Sequence, residues 1–257
     1  MDELSAFWGA PRELIDLEKT LLTRADQVFT GGYSLYEAKR THHAQVRAFP
    51  SSIDFAHFAR ARYPQPDPAD QALIPHPRIG FSGVVDERFD VDLLRTLAHQ
   101  QPHWQFVIIG PVVKIDPATL PRPANVHYLG LKAYADLPAY FSGWAVAMLP
   151  FALNDSTRFI SPTKTPEYLA AGLPTVSTPI RDVVRTYGEK GFTQIADTAA
   201  AFEVAIQNAL NKQHPQNWLA IDAFLSENSW NKTWADMAAH INHAPQPVGQ
   251  TALNGEG

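Results

Sequence analysis

The chain has 257 residues, a formal net charge of −5 and no cysteine. This length allows one large domain or two ordinary ones, and 45% hydrophobic against 18% charged residues is a globular composition. The acidic balance excludes a nucleic-acid-binding surface along the whole chain, so an anionic ligand would need a local cationic pocket. The lack of cysteine excludes disulfides, thiolate metal sites and a thiol nucleophile.

No export or membrane signal is visible in the sequence. Residues 1–10 lack the basic flank and the apolar core of a signal peptide. The longest apolar run, residues 144–151, is far shorter than the roughly 20 residues that a membrane helix needs. These features, with the absence of cysteine, predict a cytoplasmic protein.

The first part of the chain, residues 1–54, predicts a small piece with two strands. Apolar spacing and turn residues indicate helices at 13–25 and 33–40 and strands at 27–30 and 44–49. Two strands are too few for a sheet that is covered on both faces. Residues 55–77 contain five prolines and are predicted to form a linker or a stiff crossing segment.

Residues 78–228 alternate apolar strands with amphipathic helices, which predicts one further domain. Strands are expected at 79–83, 105–110, 125–130, 144–150 and 175–177, and helices at 90–100, 134–141, 166–172, 180–187, 199–212 and 217–226. Continuous apolar strands that alternate with helices predict an α/β fold with a doubly wound, Rossmann-like parallel sheet.

The C-terminal region predicts one more helix, at 229–242, followed by a disordered tail over 243–257. Trp230 and Trp234 lie on one face of that helix, and aromatic residues at helical spacing are usually buried. We therefore interpret both side chains as packing residues.

The segment 161–168 follows the fourth strand, where a doubly wound sheet binds its ligands. Ser161 as N-cap and Pro162 as the first helical residue would start a helix there. Alternatively the helix begins at residues 165–166, after an irregular turn. Either start places backbone donors and the ammonium of Lys164 where they favour a diphosphate. Glu167 would then face a ribose diol, unless the two charges form only a solvated i,i+3 ion pair.

Residues 161–179, SPTKTPEYLAAGLPTVSTP, resemble the donor-binding signature of GT-B glycosyltransferases of the large retaining group 1, family 4-like, class. Further blocks are similar to that family in the same order, at residues 24–36, 81–83, 106–111, 125–130 and 147–151. The resemblance implies a GT-B C-terminal donor-binding domain at 78–228. It also implies a remnant of the N-terminal acceptor-side domain at 1–54 and a C-terminal crossing helix at 229–242.

The resemblance also implies roles for single residues. Glu167 would bind the donor ribose. The diphosphate would lie against Gly83, Ser161, Pro162, Thr163 and Lys164, and the base would lie near Gly130, Leu131 and Lys132. Glycine after a strand is also ordinary turn chemistry, so Gly83 and Gly130 have that simpler interpretation as well.

Three positions depart from the family's pattern. Phe159 stands where the family often has a glutamate that addresses the donor sugar, and Val84 and Phe89 stand where it often has two cations. Arg88 is next to the second of these positions and is a substitute candidate. Leaving-group stabilisation would therefore fall to Lys164 with Arg88, and the remaining catalytic residues are not identified.

The implied function is transfer of a sugar from a nucleotide-diphosphate sugar, such as a UDP-sugar, in polysaccharide biosynthesis. The acceptor would be a carbohydrate or a lipid-linked glycan, which would bring the chain to a membrane surface, and no metal or other cofactor is expected. Self-association through apolar surface is a further expectation. Two alternatives stay open: a nucleotide-sugar epimerase of the same fold, and a non-catalytic module that binds a nucleotide sugar or a partner protein.

Overall fold

A computed structural model describes residues 3–212 and 217–242 of the chain. Its N-terminal piece contains α1 (Glu13–Arg24), β1 (Val28–Thr30), α2 (Tyr33–Lys39) and β2 (Val46–Ala48). β1 and β2 pair in parallel, and Leu22, Val28 and Val46 form a small core of their own. The predicted order of helix and strand is confirmed here, with each element one to three residues shorter than expected at an end.

The larger part of the chain is built on six parallel strands. These are β3 (Arg78–Ser82), β4 (Gln105–Ile109), β5 (Val126–Gly130), β6 (Val146–Leu149), β7 (Thr175–Ser177) and β8 (Gln194–Ile195). Their order across the sheet is β5-β4-β3-β6-β7-β8. The chain thus moves outward from β3 to β5, returns to β6 at the centre and moves outward again on the other side.

The helices around this sheet are α3 (Phe55–Ala59), α4 (Val91–Gln100), α5 (Leu137–Ser142), α6 (Lys164–Ala170), α7 (Arg181–Val183), α8 (Ala199–Leu210), α9 (Trp218–Ser226) and α10 (Trp230–Asn242). α4 packs with α8, whereas α3, α5, α6 and α9 pack with one another. Two separate helix layers and a parallel sheet whose order reverses at the centre confirm the predicted doubly wound fold.

The centre of the sheet is fully buried because it has a helix layer on each side. Every residue of β3, β6 and β7 is buried. Gly80 in β3 allows the ring of Trp144 to pack directly on the strand, since a Cβ at this position would lie 2.0 Å from that ring. Local signals set the helix starts: the side chain of Asp90 accepts the backbone N–H of Leu93 at 2.8 Å and caps α4.

The segment predicted as a linker, residues 55–77, is held firmly against the sheet domain. It begins with α3, whose Phe58 is 1% exposed. Further on, Asp67 accepts the guanidinium of Arg78 at 2.8 Å, and Gln71 is fully buried. Its prolines thus lie in a packed crossing segment, which agrees with the second of the two interpretations of the sequence, and α3 at its start was not predicted.

The N-terminal piece is joined to the sheet domain through α2 and α7. The buried carboxylate of Asp182 accepts the backbone N–H of Ser34 at 2.9 Å and also the hydroxyl of that residue. The carboxylate of Glu37 forms ion pairs with the guanidinium groups of Arg181 and Arg185, each with a nitrogen–oxygen distance of 2.7 Å. These contacts seat the start of α2 beside the segment that precedes α6.

Two further differences from the sequence prediction lie near the edge of the sheet. The expected helix at 180–187 is only three residues of α7, followed by a π-helical turn at Val184–Gly188. β8 was not predicted, because two residues are too few to show a strand pattern.

The interpretation of Trp230 and Trp234 as packing residues is wrong. Trp230 is 55% exposed and Trp234 is 65% exposed, and α10 has no buried residue. The helix exists, with its start one residue after the predicted one, but Trp230, Trp234 and Ile241 on its apolar face stay largely exposed in the described part of the chain. The expected disordered tail, 243–257, lies outside the described residues. Within residues 3–212 and 217–242, no helix is long and apolar enough to cross a membrane.

The hydroxyl of Tyr168 on α6 accepts the backbone N–H of Ser82 at the end of β3, at 2.7 Å. Both groups are buried, so we expect Tyr168→Phe to leave that N–H without a partner. The free energy of unfolding should fall by about 1–3 kcal/mol in chemical denaturation.

Tyr63→Phe is the matched control, because Tyr63 is 72% exposed. We expect it to change the unfolding free energy by less than about 0.5 kcal/mol. Equal effects of the two substitutions would contradict the role assigned to the buried hydroxyl.

Candidate functional site

The reversal of strand order lies between β3 and β6, and loops that leave neighbouring strands in opposite directions form a crevice at such a point. Gly83 follows β3 directly, and the long loop 150–163 follows β6. The structure shows a cavity of about 290 Å³ between them. The location of the cavity is therefore a consequence of the sheet topology.

The residues expected to hold a diphosphate line this cavity together. They are Gly83, Ser161, Pro162, Thr163 and Lys164, and Arg88 joins them. Phe159 and Val84, which replace polar residues of the family pattern, line the same cavity. Phe89 does not, because it is 4% exposed and packs in the core against Phe81 at 5.0 Å between ring centroids.

The helix after this loop begins at Lys164, not at Ser161. Ser161 as N-cap is therefore wrong, and the alternative of an irregular turn before a later start is nearly correct, one residue from the observed position. α6 has seven residues and contains Pro166, which lacks a backbone donor. The charge of Lys164 consequently matters more for an anion than the dipole of so short a helix.

Lys164 and Glu167 form a close ion pair on α6. The ammonium lies 2.9 and 3.2 Å from the two carboxylate oxygens. Glu167 is only 8% exposed, so this is not the solvated pair that the sequence left open. Burial raises the pKa of Glu167 above its ordinary value, although the nearby Lys164 acts in the opposite direction.

Arg88 reaches the cavity from the loop after β3. Its guanidinium binds the carboxylate of Asp86 through Nε at 2.9 Å and Nη2 at 2.6 Å. Asp86 is 3% exposed, so this pair fixes the direction of the arginine. Arg88 also lies over the ring of Phe7, 5.2 Å from its centroid.

The residues expected near the base, Gly130, Leu131 and Lys132, do not line this cavity. Leu131 is 76% exposed, and the ammonium of Lys132 is 2.6 Å from Asp70. Glu167 is likewise not among the residues around the cavity. The predicted residues thus fall into two sets. The candidates for diphosphate binding line the cavity, and the candidates for ribose and base binding lie outside it.

Tyr134 lies two residues after Lys132, in the electrostatic field of Glu167. Its pKa is raised by burial and by the carboxylate of Glu167. His57 stacks on Tyr134, with 4.3 Å between the ring centroids. Neither residue was predicted, because His57 lies in the segment taken for a linker and a single aromatic residue in a loop carries no signal.

The cavity has a side that the sequence did not predict, formed by the N-terminal part of the chain. Glu3, Phe7, Gly31 and Ser51 line it opposite the loops of the sheet domain. Within the described residues, no group of three or more His, Cys, Asp or Glu side chains has the geometry to hold a metal ion.

Comparison with known proteins identifies the family. A family model described as "Glycosyl transferases group 1" matches residues 76–212, which is more than half of the chain. A curated relative, the putative teichuronic acid biosynthesis glycosyltransferase TuaH of Bacillus subtilis (strain 168), is 28% identical over 103 residues. That match covers 39% of this chain and 26% of the relative, so it spans about a quarter of the relative's length.

Solved structures agree on the fold. HepE from Anabaena, in complex with UDP and glucose, has a TM-score of 0.72 at 11% identity, covering 95% of this chain and 70% of that one. Sucrose-phosphate synthase from Thermosynechococcus elongatus has a TM-score of 0.69 at 18% identity, with coverage of 91% and 62%. The UDP-forming trehalose-phosphate synthase from Burkholderia xenovorans gives 0.66 at 13%, with coverage of 92% and 65%. With the GT-B fold of these structures and the match over residues 76–212, this chain belongs to the group 1 glycosyltransferases.

Proposed function

We propose that the chain binds a UDP-sugar and serves in its transfer to a carbohydrate or lipid-linked acceptor. One observation carries this proposal. The diphosphate candidates, Lys164 and Arg88 among them, converge on a single cavity at the reversal point of the sheet. The solved UDP complex of HepE, which shares this fold, favours uracil as the base.

The donor would lie across the two groups of residues. Its diphosphate would contact Gly83, residues 161–163 and Lys164, and its ribose hydroxyls would bind Glu167. The base would lie against Gly130, Leu131 and Lys132. Tyr134 lies two residues after Lys132, and the carboxylate of Glu167 contributes to its raised pKa after burial, which supports the proposed order.

In the proposed reaction the bond between the anomeric carbon and the β-phosphate oxygen breaks, and the bonding pair stays on the departing nucleoside diphosphate. A hydroxyl oxygen of the acceptor bonds to the anomeric carbon, and its proton passes to the departing diphosphate. Lys164 and Arg88 would stabilise the charge on the departing diphosphate. Such preorganised stabilisation is usually the largest contribution to catalysis. Because two side-chain cations face the cavity, we propose that no metal ion is required. The family model and the relatives named above give no support to the epimerase alternative.

The first prediction from this proposed function concerns Lys164. We expect Lys164→Met to raise the Kd of UDP by roughly 10- to 100-fold in isothermal titration, because a hydrogen bond to a charged group contributes about 1.5–3 kcal/mol. GDP and ADP are titrated in parallel to test the choice of base.

Lys19→Met is the control, since Lys19 also forms an i,i+3 pair, with the acid Asp16 coming first, on the exposed surface of α1. It should leave the Kd within twofold. The donor-site assignment fails if neither the wild-type chain nor the Glu167→Ala variant binds any of the three nucleotides.

The second prediction is a pH dependence. The ionised carboxylate of Glu167 accepts hydrogen bonds from hydroxyls, and burial raises its pKa above the ordinary 4.5. As the pH falls from 7, this group should gain its proton earlier than an ordinary glutamate, and UDP binding should weaken over that range. Glu167→Gln should bind more weakly at pH 7 and lose this part of the pH profile. Parallel profiles for the two proteins would contradict the role.

A third prediction tests the absence of a metal. Excess EDTA should leave the Kd of UDP within twofold of its value in buffer with added Mg²⁺, because the side-chain cations supply the countercharge. A loss of tenfold or more on chelation would show that the cations are insufficient.

A further inference from the structure

The N-terminal segment 3–8 forms the outer side of the cavity, opposite the diphosphate candidates. Two of its side chains, Glu3 and Phe7, line the cavity directly. Neither residue is among the candidates for binding the diphosphate, the ribose or the base. A carboxylate and an aromatic ring thus face the space next to Lys164 and Arg88.

This segment is attached to both parts of the chain. Glu3 lies 2.6 Å from the ammonium of Lys39 on α2. The hydroxyl of Ser156 donates to the carbonyl oxygen of Ala6 at 2.7 Å, and the backbone N–H of Trp8 donates to Glu87 at 3.2 Å. The side chains at the cavity are therefore held in place before any ligand binds.

Two cations contact the ring of Phe7. Arg88 is 5.2 Å and Lys114 is 5.1 Å from the centroid of its ring. Such contacts contribute about 0.5–2 kcal/mol each and fix the orientation of the ring. The ring also gives the cavity an apolar surface beside the polar carboxylate of Glu3.

Glu3 is suited to accept hydrogen bonds and not to remove a proton. Burial alone would raise its pKa, but hydrogen bonds from Lys39 and Ser5 outweigh burial and hold the pKa below its ordinary value. The carboxylate therefore stays ionised and accepts only. It has about four lone-pair positions, so hydroxyl groups can bind in addition to these two donors.

The position of the cavity decides which part of the donor meets Glu3. The ribose and base candidates, Glu167 and the loop 130–132, lie outside the cavity, while the diphosphate candidates line it. A donor that extends from the base loop through the diphosphate would place its next group, the glycosyl unit, in the remaining space. Apolar side chains of Phe7, Phe159 and Val84 face that space and suit the C–H faces of a pyranose.

We propose that Glu3 and Phe7 determine sugar specificity: Glu3 accepts hydrogen bonds from hydroxyls of the transferred glycosyl unit, and Phe7 packs against its C–H face. This inference rests on the proposed function, since it requires the diphosphate to occupy the cavity. It assigns the recognition of the sugar to the N-terminal segment and the recognition of the nucleotide to the sheet domain.

The test compares bare nucleotide with sugar conjugates on the full chain. Wild type and Glu3→Ala are titrated with whichever of UDP, GDP and ADP binds best, and with its glucose, galactose, mannose and N-acetylglucosamine conjugates. We expect Glu3→Ala to raise the Kd of at least one sugar conjugate by tenfold or more. The Kd of the nucleoside diphosphate without a sugar should stay within twofold. Phe7→Ala should follow the same pattern, and Glu3→Gln, which keeps one acceptor oxygen, should lose less.

Glu18→Ala is the matched control, because Glu18 binds the same ammonium of Lys39 at 2.6 Å but does not line the cavity. It should leave every ligand within twofold. The inference is overturned if Glu3→Ala affects bare diphosphate and conjugates equally, if it affects none of the conjugates, or if wild type binds the diphosphate but no conjugate. Failure of wild type to bind any nucleotide would instead contradict the proposed function.

Discussion

The candidate site depends on one buried contact, between the hydroxyl of Tyr168 and the backbone of Ser82. The hydroxyl accepts the N–H at 2.7 Å and faces the carbonyl oxygen of the same residue at 3.3 Å. Tyr168 directly follows Glu167 on α6, and Ser82 directly precedes Gly83. Since helix and strand are each rigid over these few residues, this contact fixes the charged start of α6 relative to the exit of β3.

Both cations at the cavity are already paired with buried carboxylates, Arg88 with Asp86 and Lys164 with Glu167. Such pairs contribute little to stability, because both charges lose hydration on burial. They do hold each cation in one direction, and an ammonium has three donors, so it can meet a phosphate oxygen while still paired. The two pairs therefore fix the directions of the cations that face the cavity.

What the sequence predicts well is local. The doubly wound sheet was predictable because buried parallel strands appear as apolar runs, and residues 161–164 were predictable because one continuous segment carries them. The cavity's outer side was not, since Glu3 and Ser51 reach it only through tertiary packing of the N-terminal part of the chain against the sheet domain. Periodicity likewise predicted α10 but not the exposure of Trp234, because an apolar stripe does not show whether a partner covers it.

The division of the cavity between two parts of the chain bears on how such proteins diverge. The region matched by the family model, residues 76–212, contains the diphosphate, ribose and base candidates. The remaining side of the cavity comes from residues 3–51, which lie outside that match. Under the proposed assignment, nucleotide recognition lies within the region that the family model matches, and the opposite side of the cavity can change independently. Phe159 fits this view, because a hydrophobic residue at that position leaves polar contacts with the sugar to the side that the family model does not cover.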